Sequence, residues 1–252
     1  MFSGKYSYQS RISKRVKNEP ILITGVGRRI GFRLASTFME RGYPVIGTYR
    51  TQRAALDQLR GAGVELYQCD FNDDAQVVEF AQKVSSGHDR LRAIIHNASD
   101  WLPDVCGLEP CEIIKRMMKV HVTAPYQINQ ILGPLLEASE EEYADIIHVG
   151  DYVSSRGSKK HIAYAASKAA QDNLTYSFSA KFGPKVKVNS LAPALVMFNE
   201  SDDQTYRHKT LQKSVMGKEG GFDEFQHAVD YLLNSKYVTG RVLPMDGGRH
   251  LL

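Results

Sequence analysis

Cysteine is scarce in this 252-residue sequence: Cys69, Cys106 and Cys111 are odd in number and show no C-x-x-C spacing. That usage speaks against a disulfide framework or a cysteine-based zinc site and points to a reducing, cytoplasmic compartment. No apolar run approaches the ~20 residues that span a bilayer, so no membrane partner is expected. Excess charge is also absent from most of the chain. Residues 1–20 carry five of the 32 basic residues (Lys5, Arg11, Lys14, Arg15 and Lys17) and one of the 28 acids, Glu19. From residue 21 onward the two signs balance at 27 each, which argues against a basic nucleic-acid-binding face. The basic stretch has no apolar core of a secretory signal. Residues 1–19 therefore read as a disordered leader, with a transit peptide and a basic arm on an anionic partner as alternatives.

What is present is an alternation of short apolar runs and helical stretches, in a chain of 42% hydrophobic and 24% charged residues. Those proportions fit one α/β domain over residues 20–252. Pro20 to Thr24 reads as a first strand, Gly25-Val26-Gly27-Arg28-Arg29-Ile30-Gly31 as a glycine-rich turn, Phe32 to Arg41 as a helix, and Pro44 to Tyr49 as a second strand. Such a βαβ unit lets backbone approach a pyrophosphate at a helix N-terminus, where free N–H groups and the helix dipole favour anions. The second strand ends at Arg50, and no Asp or Glu stands between Gly42 and Leu56. An acid there would bind the ribose 2′-hydroxyl of NAD, whereas arginine accommodates a 2′-phosphate. NADPH is thus the expected cofactor, with Arg28 or Arg29 as a second cation.

Further strands are expected at Val64 to Cys69, Leu91 to Ile95, Ala144 to Val149, Val186 to Ser190 and Arg241 to Pro244. Together they predict one doubly wound parallel sheet of about seven strands, a Rossmann fold. Asp70 closes the third strand and is a candidate for the adenine edge. The fourth delivers Asn97, Ala98 and Ser99 to the carboxyl end of the sheet, where ligands bind in such folds. A mostly helical segment runs from Glu109 to Leu136. The polar stretch Pro193 to Gly221 lacks periodicity and reads as a lid or substrate loop.

His161 to Ala170 is rich in alanine and should be helical, with Tyr164 and Lys168 one turn apart on one face. An ammonium beside a phenol favours phenolate and lowers the phenol's pKa from ~10, which makes a general acid/base pair. Taken alone, the pair is an ordinary solvated helix face; the nucleotide site earlier in the chain changes that reading.

Thr24-Gly25 with Gly31, Asn97-Ala98, Tyr164-x-x-x-Lys168, Asn189-Ser190 with Pro193, and Asp246-Gly247-Gly248 resemble the short-chain dehydrogenase/reductase family, in order and over nearly all of residues 20–252. The resemblance implies NAD(P) and a homotetramer. It makes Tyr164 the proton carrier and Lys168 the holder of the nicotinamide ribose. It also sets Gly25, Ile30 and Gly31 along the pyrophosphate. The sequence departs from that family where Arg29 replaces a glycine, Asp151 a serine and His121 an asparagine. Arg29, Asp151 and the aromatic Trp101 resemble the pteridine reductases within the family. A pterin substrate is therefore expected, 7,8-dihydromonapterin first, with dihydrofolate and dihydrobiopterin as weaker ones. Trp101 would stack on the flat ring, Asp151 and Tyr164 would serve its N–H-rich edge, and Arg29 and Ser99 would complete the pocket. His96 and His161 read as structural; His121 stands between a core residue and a relay member. Alternative readings are a carbonyl reductase for ketones or quinones and a catalytically silent NADPH-binding regulator.

Overall fold

The computed structural model describes residues 18–252; the leader proposed for residues 1–19 falls outside them except for its last two residues. Of these, Glu19 is tied to the body, its carboxylate accepting from the Ser139 hydroxyl and the Glu140 N–H.

The chain alternates strand and helix: β1 (Ile21–Ile23), α1 (Arg29–Glu40), β2 (Val45–Tyr49), α2 (Ala55–Gly61), β3 (Glu65–Gln68), α3 (Asp74–Gly87), β4 (Ala93–His96) and α4 (Pro110–Met118). A π-helical turn (Lys119–Thr123) leads into α5 (Ala124–Glu137), then β5 (Ala144–Val149), α6 (Val153–Arg156), α7 (Ile162–Phe182) and β6 (Val186–Pro193). The chain closes with α8 (Gln204–Leu211), α9 (Phe222–Asn234), β7 (Arg241–Met245) and a 3-10 turn (Arg249–Leu251). The strands form one seven-stranded sheet in the order β3-β2-β1-β4-β5-β6-β7, and every pairing is parallel. This is the doubly wound α/β sheet that the alternation predicts.

Burial on both faces explains why the central strands are continuous apolar runs rather than alternating ones. Leu22, Ile94 and Ile146 point into one core with α3, α5 and the end of α7. Ile21, Ile23, Ile95 and Ile147 point into the other, with α1 and α9. Local signals start the helices. The Asp73 carboxylate accepts from the N–H groups of Ala75 and Gln76 at the head of α3. Pro110 occupies the first turn of α4, and the Glu112 carboxylate reaches back to the Glu109 N–H. No helix among the described residues is long and apolar enough to cross a membrane.

Two expectations change. The lid stretch Pro193 to Gly221 contains α8, whose N-cap Asp203 accepts from the Tyr206 N–H. Its residues are polar around most of the helix, with only Thr210 buried, so no apolar stripe announced it. The Glu109 to Leu136 helix is interrupted by the π turn, which carries His121 inward. Strand order reverses between β1 and β4, and at the carboxyl ends of those two strands the glycine turn meets Asn97 and Ala98.

Candidate active site

The nucleotide side is built from close backbone contacts. Gly25 has φ +75°, and a Cβ there would lie 2.8 Å from Ala98 Cα. A Cβ on Gly31 would lie 2.2 Å from the Gly25 carbonyl oxygen and 2.5 Å from Asn97 Nδ2. Only glycine fits at either place. Asn97 Nδ2 donates to the carbonyls of Thr24 (3.0 Å) and Gly25 (3.2 Å), and the Ala98 N–H donates to Thr24 Oγ1 (2.9 Å), which fixes turn to strand. The N-cap residue of α1, Arg28, gives no side-chain cap, and the first turn holds no acid. The helix therefore presents its first N–H groups and positive dipole end without a carboxylate over them, a cradle that fits a dinucleotide pyrophosphate. Arg28 is exposed, Ile30 packs its side chain against the core beneath, and Arg29 is left-handed at φ +52°. Arg29 Nη2 donates to the Met197 carbonyl (2.8 Å), tying the turn to the segment that leads to α8. Arg50 is exposed at the end of β2, as the sequence places it. Asp70 Oδ1 accepts from both the backbone N–H and the side-chain amide of Asn72, each at 3.0 Å, so that oxygen shapes a turn.

On α7 the polar residues of one face run down the sheet side: Tyr164, Ser167, Lys168, Gln171, Asp172 and Thr175 are all buried. Tyr164 Oη donates to Asp151 Oδ2 at 2.8 Å. Lys168 Nζ donates to the Val149 carbonyl (2.7 Å) and Gln171 Oε1 (3.1 Å), and lies 5.8 Å from the Tyr164 ring centroid. The expected lowering of the phenol is reversed: burial, then the Asp151 carboxylate, push Tyr164 well above its ordinary value. The phenol's hydrogen-bond partner here is the Asp151 carboxyl group, and its ammonium neighbour is turned to other acceptors. Burial likewise raises the Asp151 carboxyl, against the Val153 N–H, Tyr164, Lys168 and Arg249. Lys168 is pushed down to about 8 by burial, with Asp151 and Asp172 opposing the shift.

The substrate side is formed by the segment after β4. Ser99 Oγ lies 2.9 Å from His121 Nε2, and His121 Nδ1 lies 2.8 Å from Ser167 Oγ. His121 meets the Tyr164 ring edge-on at 5.4 Å. Burial, with Lys168 nearby, holds His121 well below its usual pKa, so the ring is neutral. Trp101 is 60% exposed and so is not a core aromatic, and it stacks on His161 at 4.0 Å. His161 in turn bonds the Leu102 carbonyl. His96 is buried, with Nε2 against Asn129 Oδ1 at 2.8 Å.

Residues that the motifs do not name also belong here. Gln171 and Asp172 follow Lys168 by one turn, so the same helical spacing that pairs Tyr164 with Lys168 could have found them. Asp100 binds Arg50 and Arg116, and the Arg249 guanidinium lies 4.4 Å over the Tyr152 ring. Nothing local in the sequence marks these contacts.

A glycine-rich cradle and a buried Tyr–Lys pair on one sheet edge have counterparts among known proteins. A family model described as enoyl-(acyl carrier protein) reductase matches residues 25–250. A dihydromonapterin reductase of Klebsiella pneumoniae is 53% identical over 232 residues, covering 92% of this chain and 97% of that protein. The chain is a short-chain dehydrogenase/reductase. As an oxidoreductase of that family it also matches a dihydromonapterin reductase of Escherichia coli O6:H1, 50% identical over 237 residues, 94% of this chain and 99% of that one. Among solved structures, Pseudomonas aeruginosa RhlG in an active-site complex with NADP is 27% identical with a TM-score of 0.82, covering 92% of this chain and 96% of that one. The FolM alternative dihydrofolate reductase 1 of Brucella canis, complexed with NADP, has a TM-score of 0.81 at 23% identity over 94% and 96% of the two chains, a likeness of fold.

Proposed function

We propose that this reductase converts 7,8-dihydromonapterin to its tetrahydro form with NADPH, adding hydride at C6 and a proton at N5. The observation that carries the reading is the Asp151 carboxylate at 2.8 Å from the Tyr164 hydroxyl, in a short-chain reductase whose relatives of about half identity are dihydromonapterin reductases. A carboxylate accepts from two donors of a pterin edge at once, which a hydroxyl does less well.

When bound, NADPH supplies the hydride. Gly25 and Gly31 would let backbone approach its pyrophosphate, Arg28 and Arg50 would meet the 2′-phosphate, and Asn97, Ala98 and Asp70 would border the nucleoside. Lys168 and Tyr164 would flank the nicotinamide ribose. Burial favours the protonated form of both Asp151 and Tyr164, and the two titrate as a coupled pair, so the proton they share belongs to neither group alone. That proton is the one destined for N5. Lys168, its charge supported by Asp151 and Asp172, stabilises the anion left on the pair once the proton has moved. Trp101, backed by His161, offers an aromatic face to the flat ring; Arg29 and Ser99 lie on the polar side. The enzyme is further proposed to act as a homotetramer in the cytoplasm, with dihydrofolate and dihydrobiopterin as weaker substrates.

The test is NADPH oxidation followed at 340 nm with 7,8-dihydromonapterin, 7,8-dihydrofolate and a simple diketone, each repeated with NADH. The expected result is fastest turnover of dihydromonapterin, with NADPH preferred. Turnover confined to the diketone overturns the pterin reading and returns the enzyme to the carbonyl reductases.

A further inference from the structure

Asp100 stands between the arginine at the end of β2 and the aromatic face of the substrate side. Its Oδ2 accepts from Arg50 Nη1 at 3.2 Å, from Arg116 Nε at 2.7 Å and from Arg116 Nη2 at 2.5 Å. Its Oδ1 accepts from the Trp101 N–H at 3.1 Å, and its own N–H donates to His121 Nε2 at 3.4 Å. The Asp100 side chain is 14% exposed, whereas that of Arg50 is 48% exposed. Arg116 comes from α4, whose Ile113 and Met117 pack against Ala163 and Tyr164.

One carboxylate shared by two guanidinium groups leaves a local charge of plus one. An arriving anion can therefore take Arg50 without stranding Asp100, because Arg116 keeps two N–H groups on it. With Arg50 taken by such an anion, Asp100 would be left to Arg116 alone. Both the Trp101 backbone and the His121 ring are bonded to Asp100.

We propose that Asp100 is a positioning residue that couples recognition of the cofactor's 2′-phosphate by Arg50 to the affinity of the substrate pocket at Trp101. The inference rests on the roles given above to Arg50 and Trp101. A 2′-phosphate draws Arg50 away and leaves Asp100 to Arg116, pulling the segment from Ala98 to Leu102 toward α4 and the Tyr164 helix. The pterin pocket is thereby completed by NADP and less so by NAD. Coupling of this kind is reciprocal, so bound pterin also tightens NADP more than NAD.

Trp101 is the single tryptophan of the chain, so intrinsic fluorescence reads this site without turnover. The experiment titrates neopterin, a fully oxidised pterin, into the full-length protein saturated with NADP+ or with NAD+, and follows quenching of Trp101. No hydride is available in either complex. The expected result is a Kd about 5-fold or more lower with NADP+ in the wild type, falling to a ratio near one in Asp100→Asn. Arg116→Gln should shrink the ratio too, and serves if Asp100→Asn does not fold. Equal Kd values on both nucleotides in the wild type, with NADPH still preferred in turnover, would overturn the coupling and leave the reductase reading intact. So would an unchanged ratio in both variants. Absence of neopterin binding with either nucleotide would remove the pterin reading and the coupling together.

Discussion

A phenol donates a proton well only if something nearby takes up the charge it leaves behind. Tyr164 is surrounded for that purpose by groups from four parts of the chain: Asp151 after β5, Lys168 one turn along α7, Ser99 after β4 and His121 in the π turn. Replacement by phenylalanine removes the donor and keeps the packing, so Tyr164→Phe should lower kcat by ~10²-fold or more while the thermal midpoint stays close to the wild type. Near-wild-type turnover would mean that Asp151 protonates the substrate by itself. Lys168 gives a pH signature. Its ammonium is pushed down to about 8 by burial, so the charge is lost as pH rises through about 8 rather than near its ordinary 10.5. The kcat profile should therefore fall above that pH. Asp172 is one of the two carboxylates that support the charge, so Asp172→Asn should move the falling limb to lower pH. At this scale the sequence was legible where chemistry follows helical spacing. Tyr164 and Lys168 are four apart, and Asp151 enters through family resemblance. The upward displacement of the phenol was not legible, because it depends on how deeply Tyr164 is buried and on which acceptors Lys168 finds.

The glycine turn and α1 work as one element. Its positive-φ residues, Gly25 and Arg29, bend the chain so that Gly31 lies under the Gly25 carbonyl and the first turn of α1 opens outward. Gly31→Ala would set a methyl 2.2 Å from that carbonyl oxygen, and backbone cannot give way as a flexible side chain would. The expected outcome is a loss of about 1–3 kcal/mol in stability, read by urea unfolding, together with weaker NADP+ binding by calorimetry. Unchanged values for both would show that the turn relaxes freely. The turn was readable because glycine spacing after an apolar strand has few uses. Helix α8 was not readable, since a polar helix lying on a surface lacks the apolar period that marks most helices.

At the scale of the whole molecule, the sheet's two faces are closed by apolar layers, yet polar groups are buried among them. His96 and His148 stack at 5.1 Å on adjacent strands, where the register pairs them directly. Burial pushes His96 down to about 4, and burial with neighbouring His96 and Lys168 holds His148 well below the ordinary range. Between about 4 and the ordinary 6.5, the unfolded chain binds more protons than the folded one at His96. Stability from this group is thus complete above about 6.5, the ordinary histidine value, and is lost as pH falls toward 4. Urea unfolding at pH 7.5, 6 and 5 should show declining stability, and His96→Gln should flatten the decline. An equally steep fall in that variant would assign it to His148 or to the carboxylates.

The sequence by itself determined the alternation of strand and helix, the cofactor turn, the Tyr164–Lys168 pair and the family. The strands, helices, turn and pair are each a short-range pattern, governed by the period of a helix or strand and by the backbone freedom of glycine, and the family is the order of such patterns along residues 20–252. The structure adds that Asp70 closes a turn on Asn72, and tertiary packing alone decided that Trp101 lies open upon His161 and that Asp100 joins Arg50 to Arg116. Those contacts join positions separated by up to 60 residues in the first two cases and by 16 and 50 in the third. The Asp70 contact is a local turn, whereas only the packing of distant elements brings the other two together.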